Sequence, residues 1–135
     1  MIEFVNPSTL YRFERHSQAT VSSGTKIVHT AGQVAIDAEG NLIGEHGPDY
    51  RAQTAQATRN LFVALEAAGA RPEDVTSMTI YLVDPVGANL DEFREGFREI
   101  RESVGAKPCA LTVVGVPALA LPGAVVEINA TAVFG

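Results

Sequence analysis

The segment 124–134 constrains the fold most, because as an extended strand it has two very different faces. Alternate residues of a strand share one side of a sheet. One set is apolar and typical of a core face: Val126, Ile128, Ala130, Ala132 and Phe134. The other set mixes branched and polar residues with one carboxylate: Val125, Glu127, Asn129, Thr131 and Val133. We therefore expect a strand in the middle of a small sheet, with one face in the core and the other face in a second contact.

Glu127 is the residue of this strand that most needs an explanation. Charged side chains are rarely buried in a sheet unless they are paired. Two interpretations stay open: Glu127 lines a cleft as an acid or base, or it forms a salt bridge with a basic residue, possibly on another subunit. We take the cleft as the working hypothesis.

Composition limits the class of protein. A chain of 135 residues predicts one domain, over residues 1–135, and only 19% of its residues are charged while 46% are hydrophobic, which leaves apolar surface for self-association. The formal net charge of −6 and the pI of about 4.9 argue against a nucleic-acid partner, since phosphate backbones are bound by clustered Lys and Arg. We expect a homo-oligomer.

Features that are absent from the sequence predict where the protein works in the cell and whether it binds a metal or a cofactor. Residues 1–5 do not begin a signal peptide, and no apolar stretch reaches the length of a membrane span, so we expect no membrane partner. A single cysteine, Cys109, excludes intrachain disulfides and is typical of a reduced, cytoplasmic protein. Without the spacing of metal ligands we expect no metal site and no cofactor, and we interpret His29 and His46 as structural.

Hydrophobic periodicity places the remaining elements. The polar residues 22–25 predict a turn between two strands of a hairpin, and glycines 40, 44 and 47 mark a loop. Helical spacing predicts a helix over 49–68 and a second over 89–104, which Asn89 and Glu92 would begin as a capping box and Gly105 would end. Strands are predicted over 75–83 and 111–116. This order favours an α+β domain in which two helices cover one face of a mixed sheet.

The uncovered face of that sheet predicts self-association. It carries Tyr81, Val83, Val125 and Val133. An apolar patch of this size is not left in water, and three or more copies packed sheet against sheet would bury it.

Five segments carry a resemblance to a known family: 16–19 (HSQA), 31–34 (AGQV), 56–70, 74–84 and 121–128 (LPGAVVEI). With them the chain resembles the RidA family, also called YjgF-like or endoribonuclease L-PSP, over nearly its whole length. The resemblance implies a chorismate-mutase-like α+β fold with a mixed six-stranded sheet covered on one face by two helices. It also implies a homotrimer whose sheets face a central barrel, with a ligand cleft at each subunit interface.

The same resemblance implies a chemistry. RidA-like imine deaminases hydrolyse enamine and imine products of pyridoxal-phosphate enzymes, with an arginine that binds the substrate carboxylate and a glutamate near the attacking water. Glu127 matches the glutamate, but Ala110 stands at the arginine position, so the chain resembles a divergent member without the imine-deaminase arginine. Losing such a charge-assisted contact typically costs on the order of 2 to 5 kcal/mol, so we expect ordinary 2-imino acids not to be hydrolysed.

Other cleft positions of the family also differ here. His16 stands at the cleft tyrosine, Ala31 at the serine before the glycine, and Leu90 near the asparagine at the helix start, which becomes Asn89 after a shift of one residue. We predict Glu127 and His16 as catalytic residues, although His16 could also be a hydrogen-bonded structural histidine. The predicted ligand-binding residues are Ala31, Gly32, Gln33, Leu90, Cys109 and Ala110.

Three functions stay open from the sequence. The first is a hydrolase of the deaminase type with an altered substrate, in which Glu127 activates water or protonates the enamine carbon. The second is a trimer that binds a small metabolite without chemistry. The third is an endoribonuclease, against which the acidic charge and the lack of a basic patch both count. Cys109 as a nucleophile is a weaker alternative, since a lone cysteine with no adjacent base is typical of a small buried apolar residue.

Overall fold

The computed structural model of the protein describes residues 1–44 and 48–135. Two helices, six strands and one turn of 3-10 helix make up the fold: β1 (Ile2–Val5), β2 (Ala19–Ser22), β3 (Lys26–His29), α1 (Tyr50–Ala67), the 3-10 turn (Pro72–Asp74), β4 (Val75–Val83), α2 (Ala88–Val104), β5 (Ala110–Val116) and β6 (Val126–Phe134). The interpretation of His46 lies outside the described residues.

Strand β6 lies in the middle of the main sheet, as its two-faced pattern predicts. The sheet has the order β3-β6-β4-β5, with β6 antiparallel to both of its neighbours and β5 parallel to β4. After β5 the chain passes β4 and enters the sheet on the other side, so β6 does not pair with β5. The mixed α+β sheet with two helices is confirmed.

The pairing of the first strands differs from the prediction. The six strands do not form one sheet, because β1 and β2 form a separate two-stranded sheet. The hairpin predicted around residues 22–25 is wrong: β2 pairs with β1, while β3 pairs with β6. The hydroxyls of Thr20 and Ser22 instead bond to Thr76 at 2.6 to 2.9 Å. Alternation identifies a strand but carries no information about its partner, which explains the error.

The helix ends follow local chemistry, with one exception. The side chain of Asp49 accepts from the backbone of Ala52 at 2.9 Å and begins α1. Gly105 ends α2 in the left-handed conformation at φ 70°, as predicted. The capping box on Asn89 is wrong, since α2 already begins at Ala88 and the Asn89 amide donates to the carbonyl of Asp84 at 3.0 Å. Within the described residues, neither helix is long and apolar enough to cross a membrane.

The core lies between the helices and one face of the sheet. The side chains that fill it come from α1, α2, β4 and β6, and the largest fully buried apolar ones are Leu61, Leu65, Ile80, Leu82, Val126 and Ile128. A buried polar residue, Gln53, accepts from the backbone N–H of Val125 at 2.9 Å and donates to the carbonyl of Gly123 at 3.0 Å. Gln53 thus attaches α1 to the loop that leads into β6, and Val125 is buried rather than on the open face where it was expected.

The other sheet face is open in the single chain. Register places Ile27 beside Val133, and Tyr81 between Val114 and Glu127, so these residues share one side. The side chain of Ile27 is 64% exposed there and that of Val114 is 37% exposed. The open face therefore combines apolar residues with the only carboxylate of β6.

Gly96 sets how closely the two helices approach. A Cβ at this position would lie 2.6 Å from the carbonyl oxygen of Arg51, a backbone atom that cannot easily move. We expect Gly96→Ala to lower the free energy of unfolding by about 1 to 3 kcal/mol, because the added methyl forces α1 and α2 apart. Urea unfolding followed by circular dichroism measures the change. Alanine has a higher helix propensity than glycine, so without a clash the substitution would leave the stability unchanged or raise it. A variant at least as stable as the wild type would therefore contradict this contact.

Candidate functional site

Glu127 lies on the open face of the sheet, directly against the loop that follows β3. Its side chain is half-buried, and Tyr81 is its neighbour on β4. A Cβ on Gly32 would overlap the Glu127 carboxylate, so only glycine lets the loop backbone come this close. Within the described residues, no hydrogen bond or ion pair of the protein occupies the carboxylate. This carboxylate is therefore placed to meet a ligand or a second chain.

The loop of Gly32 is fixed to β6 by its backbone. Gln33 donates its N–H to the carbonyl of Ile128 at 2.7 Å and accepts from the N–H of Ile128 at 3.0 Å. The Gln33 side chain bonds back to the carbonyl of Ala31 at 3.3 Å. The structure thus brings four predicted residues together in what we call the glutamate cluster: Ala31, Gly32, Gln33 and Glu127.

A second group of predicted residues lies at the start of β5. The backbone N–H of Ser17 donates to the carbonyl of Cys109 at 3.0 Å, and its hydroxyl donates to the carbonyl of Pro108 at 2.6 Å. These bonds place His16 near the first residues of β5, where its ring stacks on Phe13 at 4.5 Å between centroids. We call this group the histidine cluster: His16, Cys109 and Ala110. The predicted residue Leu90 is not part of it, because it lies in the first turn of α2 and packs against the core.

The two clusters do not meet within one chain. Ala110 lies opposite Ser77 on β4, whereas Glu127 lies opposite Tyr81, four residues further along the same strand. Strand rise and strand spacing then separate Ala110 from Glu127 by about 16 Å. Both side chains face the open side of the sheet, but a small ligand cannot contact both in one chain.

Cys109 is part of the core rather than of a reactive site. Its side chain is buried among the hydrophobic core residues. Burial raises the pKa of the thiol to about 11, and the charge of Arg101 only partly opposes this effect. The thiol is therefore protonated at neutral pH and a poor nucleophile.

Basic residues around His16 and Leu90 are the feature that sequence reasoning missed. His16 and Leu90 line an open groove whose walls also carry Arg15, Arg98 and Arg101. The expectation of no basic patch is wrong, because residues far apart in the sequence gather in this groove. Arg94, Arg98 and Arg101, spaced as one side of a helix, were the available signal. In the described part of the chain, no group of His, Cys, Asp and Glu is arranged to hold a metal ion.

Fold and site together define an α+β domain with two helices on one face of a mixed sheet and a glutamate–glycine contact on the other. The family model named Endoribonuclease L-PSP matches residues 8–134. The chain therefore belongs to the endoribonuclease L-PSP family, and the resemblance to RidA and YjgF-like proteins is confirmed.

Two relatives illustrate how far the similarity extends. A RutC family protein of Aquifex aeolicus is 31% identical over 133 residues, which cover 98% of this chain and 99% of the relative. A crystal structure of a conserved Rid family protein of unknown function from Yersinia pestis has a TM-score of 0.88 and 39% identity, with 98% of each chain covered. The YjgF gene product from E. coli, at 24% identity, a TM-score of 0.71 and 90% of each chain covered, supports the fold alone.

The contact between Gly32 and Glu127 predicts a substitution that disturbs the site and spares the fold. In Gly32→Ala the new methyl meets the flexible end of a side chain, so Glu127 moves and the free energy of unfolding stays within about 1 kcal/mol of the wild type. The 13C chemical shift of the Glu127 carboxyl carbon is expected to change.

Gly24→Ala is the matched control. Its Cβ would lie 2.6 Å from the backbone oxygen of Phe134, so a loss of about 1 to 3 kcal/mol is expected. Equal destabilisation of the two variants, or an unchanged Glu127 signal in Gly32→Ala, would contradict the assignment.

Proposed function

We propose that the protein is a homotrimer with a small-molecule cleft at each subunit interface, and that it hydrolyses a C–N bond of an imine or enamine with Glu127 as the acid–base residue. The observation that carries the proposal is the half-buried Glu127 carboxylate, held against Gly32 on the open sheet face with no partner among the described residues. As a reduced, single-cysteine protein of low pI it would act in the cytoplasm.

Two features support assembly from several copies. The glutamate cluster and the histidine cluster lie about 16 Å apart in one chain, so a single cleft can include both only if they come from different chains. The open face also exposes apolar residues, Ile27 above all, that a packed second copy would bury. A closed ring of three copies would give three equivalent clefts.

Glu127 can perform both proton transfers of imine hydrolysis. As a base it takes a proton from water while the oxygen adds to the C=N carbon, and the nitrogen gains a proton to form a carbinolamine. The carbinolamine hydroxyl then gives its proton to Glu127, the nitrogen takes a proton from Glu127 as the C–N bond breaks, and imine and water become a carbonyl compound and ammonia. His16 of a neighbouring chain would relay protons at the other end of the cleft.

A trimer that binds a metabolite without chemistry is the second candidate. It is favoured by Ala110, which supplies no charge where the imine deaminases have an arginine, and by the protonated, buried thiol of Cys109. A hydrolase of this family would then need a substrate that lacks a carboxylate next to the C=N bond or binds it elsewhere. Ribonuclease activity ranks third, because the chain has a net charge of −6.

Ile27 and Val63 form a matched pair for testing assembly. The two side chains are equally exposed in the single chain, at 64% and 65%, but Ile27 lies on the open sheet face and Val63 on α1. We expect sedimentation equilibrium to give a trimer for the wild type and for Val63→Asp. Ile27→Asp is expected to dissociate, because a carboxylate would be buried between subunits. A wild-type monomer at micromolar concentration, or a trimeric Ile27→Asp, would contradict the proposal.

The chemistry predicts a difference between two kinds of imine. 2-Iminobutyrate, generated in the assay by a pyridoxal-phosphate dehydratase, is expected to be hydrolysed no faster than without protein, because Ala110 cannot hold its carboxylate. Imines without that carboxylate are expected to be hydrolysed faster with protein. Glu127→Gln is expected to lower this rate by about 100-fold or more, whereas Glu66→Gln, on the exposed side of α1, leaves it unchanged.

Each arm of that assay has its own contradicting result. Rapid hydrolysis of 2-iminobutyrate would contradict the role given to Ala110. Hydrolysis that persists in Glu127→Gln would contradict the acid–base role. Trimers that accelerate no imine in the panel would contradict catalysis and leave metabolite binding as the function.

A further inference from the structure

An open groove of about 1360 Å³ lies between the segment 11–16, helix α2 and strand β5. Six of the ten Lys and Arg residues of this acidic chain line it: Arg12, Arg15, Arg94, Arg98, Arg101 and Lys107. Only two acidic residues, Glu14 and Glu102, are part of the same lining. The groove is therefore strongly positive on a protein whose net charge is −6.

Arg101 is the basic residue most deeply set in the groove. Its guanidinium packs over the ring of Phe97, 5.2 Å from the centroid. Burial lowers its pKa; the Cys109 thiol opposes this shift, the charge of Arg15 adds to it, and Glu102 opposes it more weakly. Among the described residues, no carboxylate approaches Arg101 or Arg15 within the 4.0 Å of an ion pair. Two neighbouring cations, of which Arg101 is partly desolvated and neither is in an ion pair, are a site for an anion.

Aromatic rings make up the other part of the lining. Phe13 stacks on His16. Phe13 also meets Tyr11 edge to face, with 4.8 Å between the centroids of these two rings. Phe93 and Phe97 of α2 also border the groove but are buried in the core, so Tyr11 and Phe13 are its exposed rings. A bare inorganic ion would leave these rings unused, whereas a ligand with a flat apolar body and an anionic group would contact both parts.

We propose that this groove binds a small organic anion, with its carboxylate or phosphate on Arg15 and Arg101 and its apolar body against Phe13. A guanidinium can bind two oxygen atoms of one anion at the same time, and carboxylates and phosphate monoesters both offer such a pair of oxygens. The inference goes beyond the proposed function, because it requires no chemistry at Glu127 and stands if imine hydrolysis fails. It adds a way for this chain to hold an anionic group without an arginine at position 110.

Isothermal titration calorimetry on the full chain tests the proposal with four probes. Phenylacetate and phenyl phosphate distinguish the two sources of the anion, inorganic phosphate lacks the apolar body, and 2-phenylethanol lacks the charge. We expect at least one aromatic anion to bind about tenfold or more tightly than both incomplete probes, and its affinity to fall as salt is raised.

Variants locate the binding. Arg101→Gln and Arg15→Gln are each expected to weaken the binding of that anion about tenfold or more. Arg51→Gln, which removes the same charge from an exposed ion pair on α1, is the matched control and is expected to bind like the wild type. Arg15 is exposed, so its variant tests the site even where Arg101→Gln does not fold.

Several results would overturn the proposal. The first is no heat of binding for either aromatic anion. The second is inorganic phosphate that binds as tightly as the aromatic anions. The third is an Arg51→Gln variant in which binding is weakened as much as in Arg101→Gln and Arg15→Gln. Tight binding of a single-stranded oligonucleotide with none of the small anions would also overturn it, and would identify the groove as a nucleic-acid surface.

Discussion

The structure depends on the two faces of β6, which lies between β3 and β4. Its even-numbered residues are largely buried in the core, so the strand cannot shift by one position without turning the core outward. This fixed register is what holds Glu127 on the opposite side. Gln53, fully buried, adds a second constraint by binding the loop that enters β6. The position of the carboxylate is therefore a consequence of core packing.

Much of the fold could be predicted from periodicity, because strands and amphipathic helices bury repeating faces. The core face of β6, the helix α1 begun by Asp49 and the helix end at Gly105 all follow from local patterns. Strand pairing did not follow. β2 pairs with β1, and its hydroxyls on Thr20 and Ser22 bond to Thr76, a contact across 54 to 56 residues that no local pattern encodes.

The site could be predicted in part. Gly32 and Glu127, both predicted from the sequence as site residues, are in direct contact. The separation of Ala110 from Glu127 did not follow from the sequence, because it depends on the relative register of three strands. The basic groove was missed because the net charge of a chain does not show where its arginines cluster. Arg15 and Arg101 are 86 positions apart, yet they lie close enough for the charge of Arg15 to lower the pKa of Arg101. The roles of all these residues in binding or catalysis stay predictions.

One cleft is proposed to combine the glutamate cluster of one chain with the histidine cluster of another. Chemical cross-linking of Ala31→Cys/Ala110→Cys tests this arrangement, with a bismaleimide shorter than the separation of about 14 Å or more that three strand spacings put between the two positions in one chain. The native Cys109 is buried with a pKa of about 11, so it reacts little. Covalent dimers and trimers are expected in denaturing electrophoresis of the double variant, and neither is expected for the two single variants. A trimeric double variant whose introduced cysteines react efficiently with the bismaleimide, but which gives only monomers in denaturing electrophoresis, would contradict the shared cleft.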